Sequence, residues 1–140
     1  MSKTLEALIK VHQHQVDEQR RVVNQLEEAK ARTLGHIEAQ RQQVILEKEA
    51  ARTDETAALQ LPNYLDMTID REKNWMFQLE GIEGMINAAR EELQNRFADL
   101  KKFELANEAE LEELRRTRLA EENAQLDETA SVRAERNKKS

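Results

Sequence analysis

The stretch ALQLPNYLD, residues 58–66, holds the single proline of a 140-residue chain that has only three glycines. Proline lacks an amide donor and disfavours helical geometry in the residue before it, so a helix entering this stretch is expected to end near Leu61. Asn63 suits an N-cap, and Asp66 would then face the free amides of a new helix. The stretch is therefore predicted to be a turn between two helices.

The rest of the composition indicates long helices. Ala, Glu, Gln, Arg, Leu and Lys dominate, and all of them are good helix formers. The chain is 36% charged and 4% aromatic, which leaves too few apolar residues for a thick globular core. Disorder is the alternative at a mean hydropathy of -0.86, and regular apolar spacing decides between the two.

Apolar residues recur every seven positions on both sides of the proline, which is the pattern of a coiled coil. The first series is Ile9, Val16, Val23, Lys30, Ile37, Val44, Ala51 and Ala58. The second is Leu65, Glu72, Leu79, Ile86, Leu93, Leu100, Asn107 and Leu114, widened by Ile69, Met76, Phe97, Leu111, Ile82 and Ala89. The companion series of the first helix, which includes His12 and Gln19, is mostly polar, so its stripe suits one partner helix.

The two series mirror each other about a point beside Pro62, which would place Lys30 opposite Leu93 and Ile37 opposite Ile86. The sequence thus predicts an all-α fold, a long antiparallel two-helix coiled-coil hairpin in one domain. The predicted bounds are about 4–60 for helix one, 61–64 for the turn, and 65–134 for helix two, with a tail to residue 140. The last fifteen or so residues are expected to extend beyond helix one and to need a partner.

Several classes of function are disfavoured by the same sequence. Its 28 acidic and 22 basic residues are interleaved, which argues against nucleic-acid binding. With no cysteine, neither a disulfide nor a thiolate metal site is expected. No apolar run approaches the length of a membrane span, so no direct membrane insertion is expected.

Catalysis is not expected either. His12 and His14 would point about 200° apart on a helix and so cannot chelate one metal. No motif brings a nucleophile, a base and an orienting group together, and two helices enclose no pocket. The chain is predicted to be non-enzymatic, without catalytic residues, metal or cofactor.

Three residues near the proline invite a specific interpretation. Gly81 and Gly84 each cost a helix about 1 kcal/mol, which indicates either a bend, a close approach of another backbone, or a locally loose helix without a role. Trp75 precedes the series residue Met76, so it is predicted to lie beside the seam and stay partly exposed. There it would serve as a docking anchor or cover a poorly packed end of the hairpin.

The two ends of the chain carry a resemblance to a known family. The segments TLEALIKVHQHQVDEQRR, residues 4–21, and ENAQLDETASVR, residues 122–133, resemble the ends of the FliJ family, stalk-like proteins of the bacterial flagellar protein export apparatus. The most specific match is an LDE-A-R pattern made of Leu126, Asp127, Glu128, Ala130 and Arg133. The middle of the chain matches only in being coiled coil.

The resemblance implies a monomeric cytoplasmic protein, held peripherally at the inner membrane by the export apparatus and serving flagellum assembly, motility and chemotaxis. Its terminal end would insert into the ring of the export ATPase and promote the assembly and activity of that ring. A surface nearer the turn, with Tyr64 and Trp75 as candidates, would contact the cytoplasmic part of the export gate; export chaperones are further expected partners. The implied ATPase contacts are Arg20, Arg21, Leu126, Asp127, Glu128 and Arg133.

Three alternatives remain open at the level of sequence. The stalk of a virulence-type secretion ATPase would have a similar hairpin. A general structural scaffold would dimerise through its ends. A holdase chaperone would grip unfolded clients with the tip of the hairpin.

Overall fold

The computed structural model describes residues 2–139, which form two α-helices joined by a short turn. Helix α1 spans Ser2–Ala50 and helix α2 spans Glu55–Lys139. The two helices pack against each other, and no strand occurs in the described part of the chain. The predicted all-α helical hairpin is confirmed.

The turn occupies residues 51–54, so the prediction that placed it at 61–64 is wrong. Asp54 is the N-cap of α2, because its Oδ1 accepts a hydrogen bond from the Thr56 amide at 2.9 Å. The amide of Asp54 donates to the Ala50 carbonyl at 3.1 Å, which closes the end of α1. None of the described residues, glycines included, has a positive φ. The end of α1 therefore does not use a left-handed cap.

Pro62 lies inside α2, in its eighth position, and α2 continues through it. Its missing amide leaves one carbonyl, that of Ala58, without the usual helical donor. Ala58 is exposed, so water can satisfy that carbonyl, and the half-buried side chains of Leu61 and Leu65 pack on either side of the proline. Asn63, the predicted cap, is exposed in the middle of the helix.

Moving the turn also moves the pairing of the helices. Lys30 Nζ lies 3.8 Å from Glu83 Oε1, ten residues before its predicted partner Leu93. The ring of His36 stacks on Trp75, with ring centroids 5.7 Å apart. The predicted pairing would instead have placed the next residue, Ile37, opposite Ile86. The mirror pairs predicted about Pro62 are therefore wrong by about eleven residues.

The chain divides into two compact units. The first comprises residues 16–95, and the second combines residues 2–15 with 96–139. The buried residues of the first unit are mostly apolar, with three polar residues among them: Val16, Gln19, Thr33, Ile37, Thr68, Leu79, Ile86 and Ala89. In the second unit Leu100 is buried, and the His12 ring stacks on Phe103 at 4.6 Å.

A second heptad series lines the interface in both helices. In α1 the polar series lies in the interface, since Gln19 and Thr33 are buried. In α2 the interface series comprises Thr68, Trp75, Ile82, Ala89, Arg96 and Phe103, all buried or half-buried. Of the residues expected to widen that stripe, Ile82 and Ala89 lie in the interface, whereas Ile69, Met76, Phe97 and Leu111 are exposed.

Polar contacts across the interface tie the two helices together. Gln19 Nε2 donates to the carbonyl of Ala89 at 3.0 Å, and Gln40 Nε2 donates to the carbonyl of Thr68 at 2.8 Å. In the second unit an Arg96 guanidinium N–H donates to the carbonyl of Gln15 at 3.0 Å. These bonds fix which residues of the two helices lie opposite each other in the structure.

The glycine pair has no close neighbour. Gly81 and Gly84 are exposed within the continuous helix α2, and an added Cβ at either position would meet nothing within 4 Å. No other backbone among residues 2–139 therefore comes close to either glycine.

Candidate interaction surfaces

The C-terminal part of α2 has no helix packed on it. Every described residue from 113 to 139 is exposed, and these residues are named the C-terminal segment below. The segment begins earlier than predicted because the turn lies earlier, and its helix runs to Lys139 instead of ending near residue 134. Several of its large apolar side chains are more than 50% exposed: Leu114, Leu119 and Leu126.

Charge is arranged in three bands along the C-terminal segment. Arg115, Arg116 and Arg118 form a basic band, the acidic residues of 121–128 form the second, and the mainly basic residues of 133–139 form the third. Within the first band Arg115 Nη2 also pairs with Glu112 Oε2 at 2.9 Å, one turn before it. The bands offer a charged surface with alternating sign.

The sequence-predicted ATPase contacts fall into two groups. Leu126, Asp127, Glu128 and Arg133 are all exposed on the C-terminal segment, where Leu126 and Arg133 share one helical face because they are seven residues apart. The other group, Arg20 and Arg21, belongs to the unit of residues 16–95. Both arginines are exposed, and Arg20 Nη1 lies 3.7 Å from Asp17 Oδ1.

The unit of residues 16–95 has two unlike flanks. Ion pairs that join the helices lie on one flank and comprise Glu27–Arg90, Lys30–Glu83 and Arg41–Glu72. The other flank is formed by two heptad series from each helix, which lie outside the buried interface. They are Val22, Gln25, Ala29, Arg32, His36, Ala39, Gln43 and Leu46 from α1, and Tyr64, Met67, Arg71, Asn74, Gln78, Gly81, Met85 and Ala88 from α2.

Only Arg32 and Arg71 are charged among those sixteen positions, in a chain that is 36% charged overall. We call this surface the low-charge flank. Several of its apolar side chains are exposed, including Val22 at 41% and Met85 at 58%. A helix face that contacts only water normally carries more charged residues than this. The flank therefore has the composition of a contact surface.

Of the two residues predicted to contact the export gate, Tyr64 belongs to this flank and Trp75 borders it. Tyr64 is half-buried and lines a small hollow near the turn with Glu47 and Leu61. Trp75 is a seam residue, half-buried against His36, so the prediction that it lies beside the seam is wrong. Sequence reasoning missed Val22 and Met85, which could have been found by counting charges in each heptad position.

No metal site is apparent in residues 2–139, since nowhere among them do three or more His, Cys, Asp or Glu side chains gather closely enough to hold an ion. Neither α1 nor α2, as far as the structure describes them, combines the length and apolar character required to cross a membrane.

Comparison of the chain with family models, with curated proteins and with solved structures finds no match.

Proposed function

We propose that this chain is a non-enzymatic component of the bacterial flagellar protein export apparatus. It acts as a stalk that inserts its terminal end into the ring of the export ATPase, promotes the assembly and activity of the ring, and links it to the membrane export gate. In this role it supports flagellum assembly, and it associates with the inner membrane only through the apparatus.

The observation that carries the proposal is the C-terminal segment. A helix that packs on nothing lacks the tertiary contacts that supply most helical stability in proteins. This one spans about 40 Å at 1.5 Å per residue and contains the LDE-A-R pattern, Leu126 to Arg133, that resembles the FliJ family. A long charged helix suits insertion into a ring, because charged contacts can guide and orient it without a fixed apolar lock.

The low-charge flank supports the second half of the proposal. It provides a largely uncharged surface for the export gate, which includes Tyr64 and is bordered by Trp75. Export chaperones are further proposed partners. The stalk is proposed to act as a monomer, which separates it from a scaffold that dimerises through its ends.

The first test adds purified chain to the export ATPase of the same organism and measures phosphate release. The full chain is expected to raise ATPase turnover severalfold, and a chain lacking residues 119–140 is expected to leave it unchanged. The matched control is Met85→Ser, which alters the low-charge flank and should stimulate the ATPase as the unmodified chain does. Unchanged turnover with an excess of the full chain would overturn the proposal.

The second test measures binding to the cytoplasmic domain of the export gate. Met85→Ser and Val22→Ser are expected to weaken this binding, while removal of residues 119–140 should not. Equal binding by all variants would remove the low-charge flank from the gate contact. Sedimentation of the chain alone as a concentration-dependent dimer would favour the scaffold.

A further inference from the structure

A groove lies between the helices on the ion-paired flank, close to the turn. It has a volume of about 430 Å³, and its apolar lining comprises Val44, Ile45, Leu65 and Ile69. Ile45 is 59% exposed and Ile69 is 51% exposed, so the two isoleucines form open lips instead of closing over the groove. A volume of this size is typical of ligand-binding clefts.

Polar groups at defined places surround the apolar lining. Arg41 Nε binds Glu72 Oε1 at 2.7 Å, so these two rim charges neutralise each other. Lys48, which also lines the groove, makes no ion pair within residues 2–139. Gln40 Oε1 is buried in the lining and accepts no hydrogen bond from that part of the chain, because the amide of Gln40 is directed to the Thr68 carbonyl.

We propose that this groove binds an acidic amphipathic helix of a partner protein. Two apolar side chains one turn apart would enter between Ile45 and Ile69, and a carboxylate would pair with Lys48. Grooves of this kind read helices through apolar anchors spaced three or four residues apart. The inference does not depend on the proposed export function, because neither the C-terminal segment nor the low-charge flank contributes to it.

The charge of the groove lining favours an acidic partner protein over a second copy of the chain. The lining has one uncompensated cation, Lys48, in a chain whose net charge is -6. A second copy packed groove to groove would present the same lining, whose one carboxylate, Glu72, is already paired with Arg41, so it would offer no free carboxylate to Lys48. An acidic helix instead adds an ion pair and covers the isoleucine lips.

The test uses a fluorescently labelled helical peptide built from Glu, Ala and Leu, with leucines three and four residues apart on one face, and a second peptide in which Lys replaces Glu. Fluorescence anisotropy with the full chain is expected to show at least fivefold tighter binding of the acidic peptide. Ile69→Ser should weaken that binding about tenfold, and Lys48→Glu should remove the preference for the acidic peptide. Val22→Ser, an exposed apolar position on the low-charge flank, is the matched control and should bind normally.

All three substituted side chains are exposed, and circular dichroism of each variant establishes that the helices are retained. Equal binding of the acidic and basic peptides would overturn the proposal, as would unchanged binding by Ile69→Ser. Sedimentation gives a further check: a dimer of the unmodified chain that Ile69→Ser dissociates would assign the groove to a second copy and overturn the partner helix.

Discussion

Gln19 Nε2 donates a hydrogen bond to the carbonyl oxygen of Ala89, 70 positions further along the chain, at 3.0 Å. Both residues are buried, so the bond forms away from water in the centre of the helix interface. A polar residue at such a position costs stability relative to an apolar one but restricts the helices to alignments in which it finds a partner. The contact therefore specifies how α1 and α2 pair.

Gln19→Ala is expected to lower the free energy of unfolding by about 1–2 kcal/mol, because it removes a buried hydrogen bond and some packing. Gln19→Leu should recover that loss by burying apolar surface, but with weaker preference for one alignment. Urea unfolding followed by circular dichroism measures both. Gln13→Ala, at an exposed position, is the control and should change little; an equal effect at Gln13 would contradict the prediction.

Asp54→Ala is expected to cost about 1 kcal/mol, because Asp54 caps α2 through the Thr56 amide. Asn63→Ala makes the matched comparison, since Asn63 is the cap that the proline-centred turn would require. With Asn63 exposed inside α2, its replacement by a better helix former should leave stability unchanged or raise it slightly. Thermal unfolding of the two variants distinguishes the turns: a larger loss at Asn63 would place the turn near Pro62.

Pro62→Ala should stabilise the protein by about 2–3 kcal/mol, because a proline inside a helix removes one hydrogen bond and crowds the preceding turn. The added amide would donate to the Ala58 carbonyl. Chemical denaturation measures the gain. A clear loss of stability would show that the proline is needed where it stands, as in a turn.

Removal of residues 113–140 is expected to change the free energy of unfolding of the remaining hairpin by less than about 0.5 kcal/mol. Every described residue of that stretch is exposed, and surface changes away from packed features have small effects. The urea midpoint and slope of the shortened chain provide the measurement. A large drop in the midpoint would reveal packing of the C-terminal segment on the rest of the chain.

The turn lies at residues 51–54 and not at the proline, for a physical reason. The proline stretch at residues 58–66 predicted a break, whereas the structure begins α2 after Asp54, a residue type favoured at N-caps. The proline penalty of about 3 kcal/mol is local and finite. Continuing α2 back to Glu55 lets Leu61 and Leu65 pack against α1, and the helix absorbs the proline.

The candidate surfaces were foreseen to different extents. The resemblance at the chain ends predicted contact residues within 126–133, and the greater length of the second helix predicted an unpaired tail, which the structure leaves exposed from residue 113. The low-charge flank and the groove at Ile45 and Ile69 were not foreseen. Both depend on which heptad positions face the partner helix, and that became clear only from the cross-helix contacts.

By itself the sequence determined the fold class. Its helix-forming composition and sustained seven-residue period leave an antiparallel pair of helices as the way to bury two apolar stripes. Only the tertiary structure decided the turn and the alignment. Heptad spacing repeats along each helix, so sliding one past the other keeps apolar residues facing each other at nearly equal burial. Long-range contacts define the alignment that the structure adopts: Gln19 to Ala89, Gln40 to Thr68 and Lys30 to Glu83.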